Sequence, residues 1–220
     1  MPLLLAQNQA LQYVVLNFCK ENGLNSYLTL NTVMYNDDLS LMREIVDVAK
    51  EVGLTAIIAS DVSVLLYARQ VGVEVHLSTQ LNIANVDAVK FYSAYADVVV
   101  LARENNMDQV KSIYESIVKD NICGPSGNPI RIEMFCHGAL CMAVSGKCYL
   151  SLQNYAASAN RGACYQLCRR SYMLTDKETG DEIEVDNQYL MSPKEKETIR
   201  RYLCYGRQLG MLQDLFPNIP

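Results

Sequence analysis

The sequence predicts an α/β fold: an incomplete TIM-like (β/α) barrel, followed by a cysteine-rich segment and a β-hairpin. Three observations predict it. Over residues 1–135, short β-branched runs alternate with amphipathic stretches of helical period. Three of the helical stretches end in a recurring phrase: E-N-G-L at Glu21–Leu24, E-V-G-L at Glu51–Leu54 and Q-V-G-V at Gln70–Val73. The glycine in each suits the left-handed residue that closes a helix, and a new strand begins directly after it. Beyond Phe135 the rhythm stops, and five of the eight cysteines follow within residues 133–169.

In order, the expected strands are Ser26–Thr32, Ala56–Ser60, Val73–Thr79, Asp97–Ala102 and Pro129–Phe135. Several are continuous apolar runs, which is how strands buried on both faces read. The expected helices are Asn8–Asn22, Leu39–Val52, Val62–Val71, Ile83–Tyr95 and Met107–Lys119. A β-α-β rhythm implies a parallel sheet with right-handed crossovers. A closed barrel takes eight units and about 250 residues; five units are legible here, hence the incomplete barrel. The expected organisation is barrel units over 1–135, a cysteine-rich segment over 136–172 within the same domain, and a hairpin and tail over 173–220. In the hairpin a turn at Lys177–Gly180 joins M-L-T-D to E-I-E-V and N-Q-Y-L-M.

A chain of 220 residues, half of them hydrophobic and a fifth charged, buries one core. Its net charge of −5 gives no overall electrostatic footprint for nucleic acid, although Arg161, Arg169 and Arg170 flank the cysteines as a local basic patch. The apolar start lacks the basic residues and cleavage site of a signal peptide, and no apolar run reaches the ~18 residues of a membrane span. The expectation is a cytoplasmic protein without membrane contact, whose cysteines are thiols or metal ligands rather than disulfides.

Cys141, Cys148, Cys164 and Cys168 are spaced C-x6-C, fifteen residues, then C-x3-C. Thiolates are soft donors that suit iron-sulfur clusters or zinc. Structural zinc favours tighter C-x2-4-C knuckles, so a cluster ranks first, ahead of zinc and of buried thiols that serve only as small hydrophobes. Cys164 and Cys168 share a face if they lie on a helix. Cys19, Cys123 and Cys136 read as structural. The candidate substrate site lies at the carboxyl ends of the strands, where barrels of this kind carry their chemistry. His76, Arg103, Glu133 and His137 are the catalytic candidates there, and Asn31, Asp61, Gln80, Glu104 and Arg161 the substrate-binding ones. A histidine placed like His76 is more often a satisfied core residue than a catalyst. Arg103 either binds a carboxylate or pairs with Glu133, and Glu133 needs a partner because a lone carboxylate in a buried strand is costly. No H-E-x-x-H or G-x-S-x-G motif supports proteolysis.

The residues Glu133–Ser151, E-M-F-C-H-G-A-L-C followed by S-G-K-C-Y-L-S, resemble the signature of the collagenase-like peptidases, peptidase family U (number thirty-two). Further phrases agree: Leu30-Asn31-Thr32, Ala59-Ser60-Asp61, His76 to Gln80, Leu101 to Glu104 and Asn160 to Cys164. The resemblance implies a (β/α) barrel. It also implies kinship with proteins that hydroxylate a uridine of transfer RNA, a cytidine of ribosomal RNA or a ubiquinone precursor, using a four-iron four-sulfur (4Fe-4S) cluster on four cysteines. Three of those positions correspond to Cys141, Cys148 and Cys164. At the fourth, this sequence reads Ser192 to Ile199 with Glu197 in place of the cysteine. Either Cys168 or Cys204 replaces it, or the site holds no stable cluster.

The expectation is therefore an iron-sulfur-dependent hydroxylase-type enzyme acting on RNA or a small aromatic substrate, served by an electron donor. Two alternatives stand beside it: a collagenase-like protease, and a truncated non-catalytic remnant whose barrel a second chain completes.

Overall fold

The computed structural model describes residues 16–135, 141 and 143–185. Five strands form a parallel sheet in sequential order: β1 (Tyr27–Leu30), β2 (Ala56–Ala59), β3 (Val75–Leu77), β4 (Val98–Val100) and β5 (Arg131–Glu133). Each observed strand lies inside the run expected from the sequence. Among the described residues β1 and β5 are not paired with each other, so the sheet is open.

The crossovers are α1 (Leu39–Glu51), α2 (Val62–Val71), α3 (Val86–Tyr92) and α4 (Met107–Lys119). Residues 16–21 are helical and precede β1. The helix starts follow local chemistry. Asp61 caps α2 by accepting from the Ser63 amide, and Asn106 and Gln109 form a capping box on α4. Gly72 closes α2 at φ 78°, as its place in the recurring phrase predicts.

Sequential strand order without reversal places all crossovers on one side of the sheet. The pairing register shows the consequence. Leu30, Ala59, Leu77, Val99 and Ile132 form one row, and the first four belong to the buried core with Met42, Val46, Val64, Leu65 and Val110 from the helices. The adjacent row, Thr29, Ile58, His76, Val98 and Arg131, points to the opposite face. Of these, Thr29 and Arg131 are exposed. The expectation that several strands are buried on both faces holds for the central ones, since every residue of β3 and β4 is buried, while on the face opposite the crossover helices Thr29 and Arg131 of the edge strands are exposed.

After β5 come α5 (Leu150–Tyr155) and 3-10 turns at Ala159–Arg161 and Leu167–Arg169. Of the expected hairpin, M-L-T-D and E-I-E-V pair as β6 (Tyr172–Thr175) antiparallel to β7 (Glu182–Val185), and N-Q-Y-L-M lies outside the described residues. No described helix is long and apolar enough to cross a membrane.

Leu77 is fully buried at the centre of the helix-covered face. Leu77→Ala should destabilise the chain by roughly 2–5 kcal/mol. Urea titration checks this, with a lower midpoint and an unchanged slope expected.

Candidate functional site

A cavity of about 270 Å³ lies at the carboxyl ends of β3, β4 and β5. Its floor comes from the residues that follow these strands: Thr79 and Gln80, Arg103, and Phe135. The segment after β5 supplies the rest of the wall. Cys141, Cys148, Cys164 and Cys168 all line this one space, and all four are free thiols. Burial pushes the Cys168 thiol above its ordinary pKa, and the neighbouring Cys141, Cys164 and Cys148 add to this while Arg169 opposes it. The four sulfurs are therefore electrostatic neighbours. Cys164 and Cys168 do not share a helix face. Cys164 lies outside any helix or strand, and Cys168 sits in a 3-10 turn that follows a left-handed Gln166.

Hydrogen bonds fasten the cysteine segment to the strand ends. Arg103 Nε donates to Ser145 Oγ at 2.9 Å, and its Nη2 donates to the Ala143 carbonyl at 3.2 Å. Asn82 donates to the Ser145 carbonyl at 2.9 Å. Gly146 adopts φ 71°, and a Cβ there would stand 3.2 Å from Gln80 Cβ, so this crossing is built for glycine. The Cys148 amide donates to Asn160 Oδ1 at 3.3 Å, and the Asn160 carbonyl accepts from Val33 at 3.1 Å. Arg161 forms a bidentate pair with Asp38, donates to the Val33 carbonyl at 2.7 Å and lies 4.5 Å from the centre of the Tyr35 ring. Its neighbour Asn160 is thus tied both to Cys148 and to the loop after β1.

A second polar group occupies the helix-free face. His76 is 3% exposed. Its Nδ1 is 3.1 Å from Glu133 Oε1 but is not aligned for a hydrogen bond, and its Nε2 is 3.4 Å from Glu74 Oε1. Arg131 donates to the same Glu74 oxygen at 2.7 Å, and the Tyr27 ring is 5.1 Å from the imidazole. Glu133 is a third exposed and lies against His76 without a hydrogen bond to it.

A sequence model of peptidase family U32 matches residues 7–215. The chain belongs to peptidase family U32. A protein named collagenase from Porphyromonas gingivalis is 62% identical over 187 residues, covering 85% of this chain and 45% of that one. The 23S rRNA 5-hydroxycytidine C2501 synthase of Escherichia coli is 36% identical over 160 residues, covering 72% and 23%. The tRNA hydroxylation protein P1 of Bacillus subtilis is 33% identical over 189 residues, covering 83% and 42%. The chain thus spans less than half the length of each of these relatives.

In this U32 member, Gln80 and Arg103 share the cavity with the four cysteines. Gln80 Oε1 accepts from Ser60 at 3.0 Å. The other expected substrate contacts lie apart from the cavity lining. Asp61 is committed to structure: its Oδ1 caps α2 and its Oδ2 accepts from the Met34 amide at 3.0 Å. Asn31 contacts Ser78 and Ser60, Glu104 is exposed on a turn, and Arg161 is committed to Asp38. His137, Cys136, Glu197 and Cys204 lie outside the described residues. Ser145 and Asn160 stand inside the S-G-K-C and N-R-G-A-C phrases but were not among the expected site residues, and Asp38 lies in no phrase. The N-R-G phrase was the only pointer to the Asn160–Arg161 fastening.

Hydrogen bonding to Arg161, then to the Tyr35 amide, holds the Asp38 carboxyl below the usual carboxylate range. Its stabilising contribution is present above the unfolded carboxylate pKa and is lost as pH falls through the lowered one. Asp38→Asn should therefore melt below the parent at neutral pH. The gap should narrow in acid, as followed by thermal denaturation across a pH series.

Proposed function

We propose that this chain is the cysteine-bearing part of an iron-sulfur-dependent hydroxylation enzyme acting on RNA or a small aromatic ring, on a (β/α) barrel scaffold. The observation that carries the reading is that four cysteine thiols line one cavity at strand carboxyl ends, with Gln80 and Arg103 in the same wall. The names of the Escherichia coli and Bacillus subtilis relatives supply the substrate class.

The donor set fits a cluster. A cluster binds each cysteine to a different iron, so its sulfurs surround a volume rather than a point. Cys141, Cys148 and Cys164 would be ligands, with Cys168 as the fourth. When bound, the cluster would supply single-electron transfer, with an electron donor as partner. Arg103 holds Ala143 and Ser145 and so fixes the chain beside Cys141 and Cys148. Gln80 presents an amide to the cavity that can orient a polar ring substituent. The His76–Glu133 pair would lie on the inner face of the barrel. Further strands, from the same or a second chain, would close it against β1 and β5.

A peptidase is the second reading, favoured by the relative named collagenase. Cysteine or serine catalysis needs a nucleophile beside its base. Among the described residues the contacts of His76 are Glu74, Glu133 and Tyr27, and no serine or cysteine hydrogen-bonds to it.

Protein purified without oxygen should contain about four iron and four sulfide per chain. Cys148→Ser and Cys164→Ser should each lose most of both, as read by metal analysis and visible absorbance. Iron-free protein, together with gelatin cleavage that withstands chelation, would overturn the hydroxylase reading in favour of the peptidase.

A further inference from the structure

At the rim of the thiol-lined cavity three side chains form a stack that the mechanism above does not use. The Tyr155 and Tyr165 rings are 5.2 Å apart at 37°. The Arg170 guanidinium lies 5.7 Å from the centre of the Tyr155 ring and donates to its hydroxyl at 3.1 Å. The tyrosines are 51% and 52% exposed. The stack is anchored to the cavity wall. Ser151, which lines the cavity, accepts from the Tyr165 amide at 3.0 Å, and Tyr165 directly follows Cys164.

Two large rings held half in water beside a cation are poorly explained as core. Nor do they make an apolar groove, because hydroxyls and a guanidinium share the surface. Aromatic rings and arginine planes of this kind take up unpaired bases, whose faces are hidden in a duplex. The guanidinium can also pair with a phosphate. The chain as a whole carries a net charge of −5 and repels a polyanion, so binding here has to rest mainly on stacking.

We propose that Tyr155, Tyr165 and Arg170 form a stacking platform that holds unpaired bases of single-stranded RNA beside the cavity. This rests on the RNA reading above, which alone selects RNA over DNA, and adds where the strand lies next to its target. Binding that rests on stacking has few phosphate contacts. Its salt dependence is correspondingly shallow, since each contact contributes about 0.7 to the log–log slope for a single strand.

The test is fluorescence anisotropy of the full chain with a short, unpaired, labelled RNA, and with the same strand annealed to its complement. The unpaired strand should bind more tightly than the duplex. Tyr155→Ala combined with Tyr165→Ala should weaken binding by roughly 5- to 150-fold for each base stack lost, with an unchanged circular dichroism spectrum. Tyr165→Phe should bind like the parent. Arg170→Gln, a milder change that preserves the fold if the double variant does not, should weaken binding and reduce the salt slope by about 0.7. Equal binding by the folded double alanine variant, or equal binding of the duplex, overturns the platform and leaves the RNA reading standing. A parent chain that binds no RNA and cleaves gelatin without iron overturns both.

Discussion

The arrangement of the site depends on one buttress, the Arg161 guanidinium held between the Asp38 carboxylate, the Val33 carbonyl and the Tyr35 ring. The segment bearing Cys148 and Cys164 contains one helix of six residues and two 3-10 turns. It has too little regular structure to hold thiols in place on its own. The loop after β1 fastens it at one end through Arg161 and Asn160, and Arg103 and Asn82 fasten it at the other through Ser145. Both attachments are charge-assisted or made to backbone, and both span long sequence separations. They turn a loop into a wall and so set the position of the thiols relative to the strand ends.

The one-sided sheet has a different origin. Every crossover returns on the same side, so the apolar row from Leu30 to Val99 meets helices, while the row containing His76 and Arg131 does not. A buried histidine on that second face needs polar neighbours, and Glu74 and Glu133 are those neighbours, with Arg131 balancing Glu74. The charges on this face sit in a chain of contacts that runs from β5 to β3 and back across Val98. Arg131 and Glu74 are each more than a third exposed, so their pair contributes less than about 1 kcal/mol, and the buried member of the chain is His76.

The fold was legible in the sequence because it is local. The limits of α2 and α4 follow from caps and period alone, and Gly72 marks the end of α2. The thiols were legible too, because spacing and residue type together restrict their chemistry. What surrounds them was not. Ser145 meets Asn82 across 63 residues and Arg103 across 42, and Arg161 meets Asp38 across 123. No periodicity encodes such pairs. Polar residues at strand ends read alike whether they face a substrate or a loop. Asp61 belongs to a helix cap and to Met34, and Gln80 to the cavity, although the sequence ranked them together. Which side the helices take was not legible, because a continuous apolar run reads the same for either face.

The difference between a metal ion and a cluster bears on the thiols' arrangement. A single tetrahedral ion draws its ligands to one centre, and preformed ion sites show that convergence. Here the thiols border a common volume, near enough for Cys141, Cys164 and Cys148 to raise the Cys168 pKa, without meeting at a point. On the reading proposed above, soft donors around such a space would take a polynuclear guest. Cys168 is the most telling of the four. Burial disfavours its thiolate, and that cost is recovered when a cationic centre takes the sulfur. On the cluster reading proposed above, Cys168, four positions after Cys164, would be the fourth ligand.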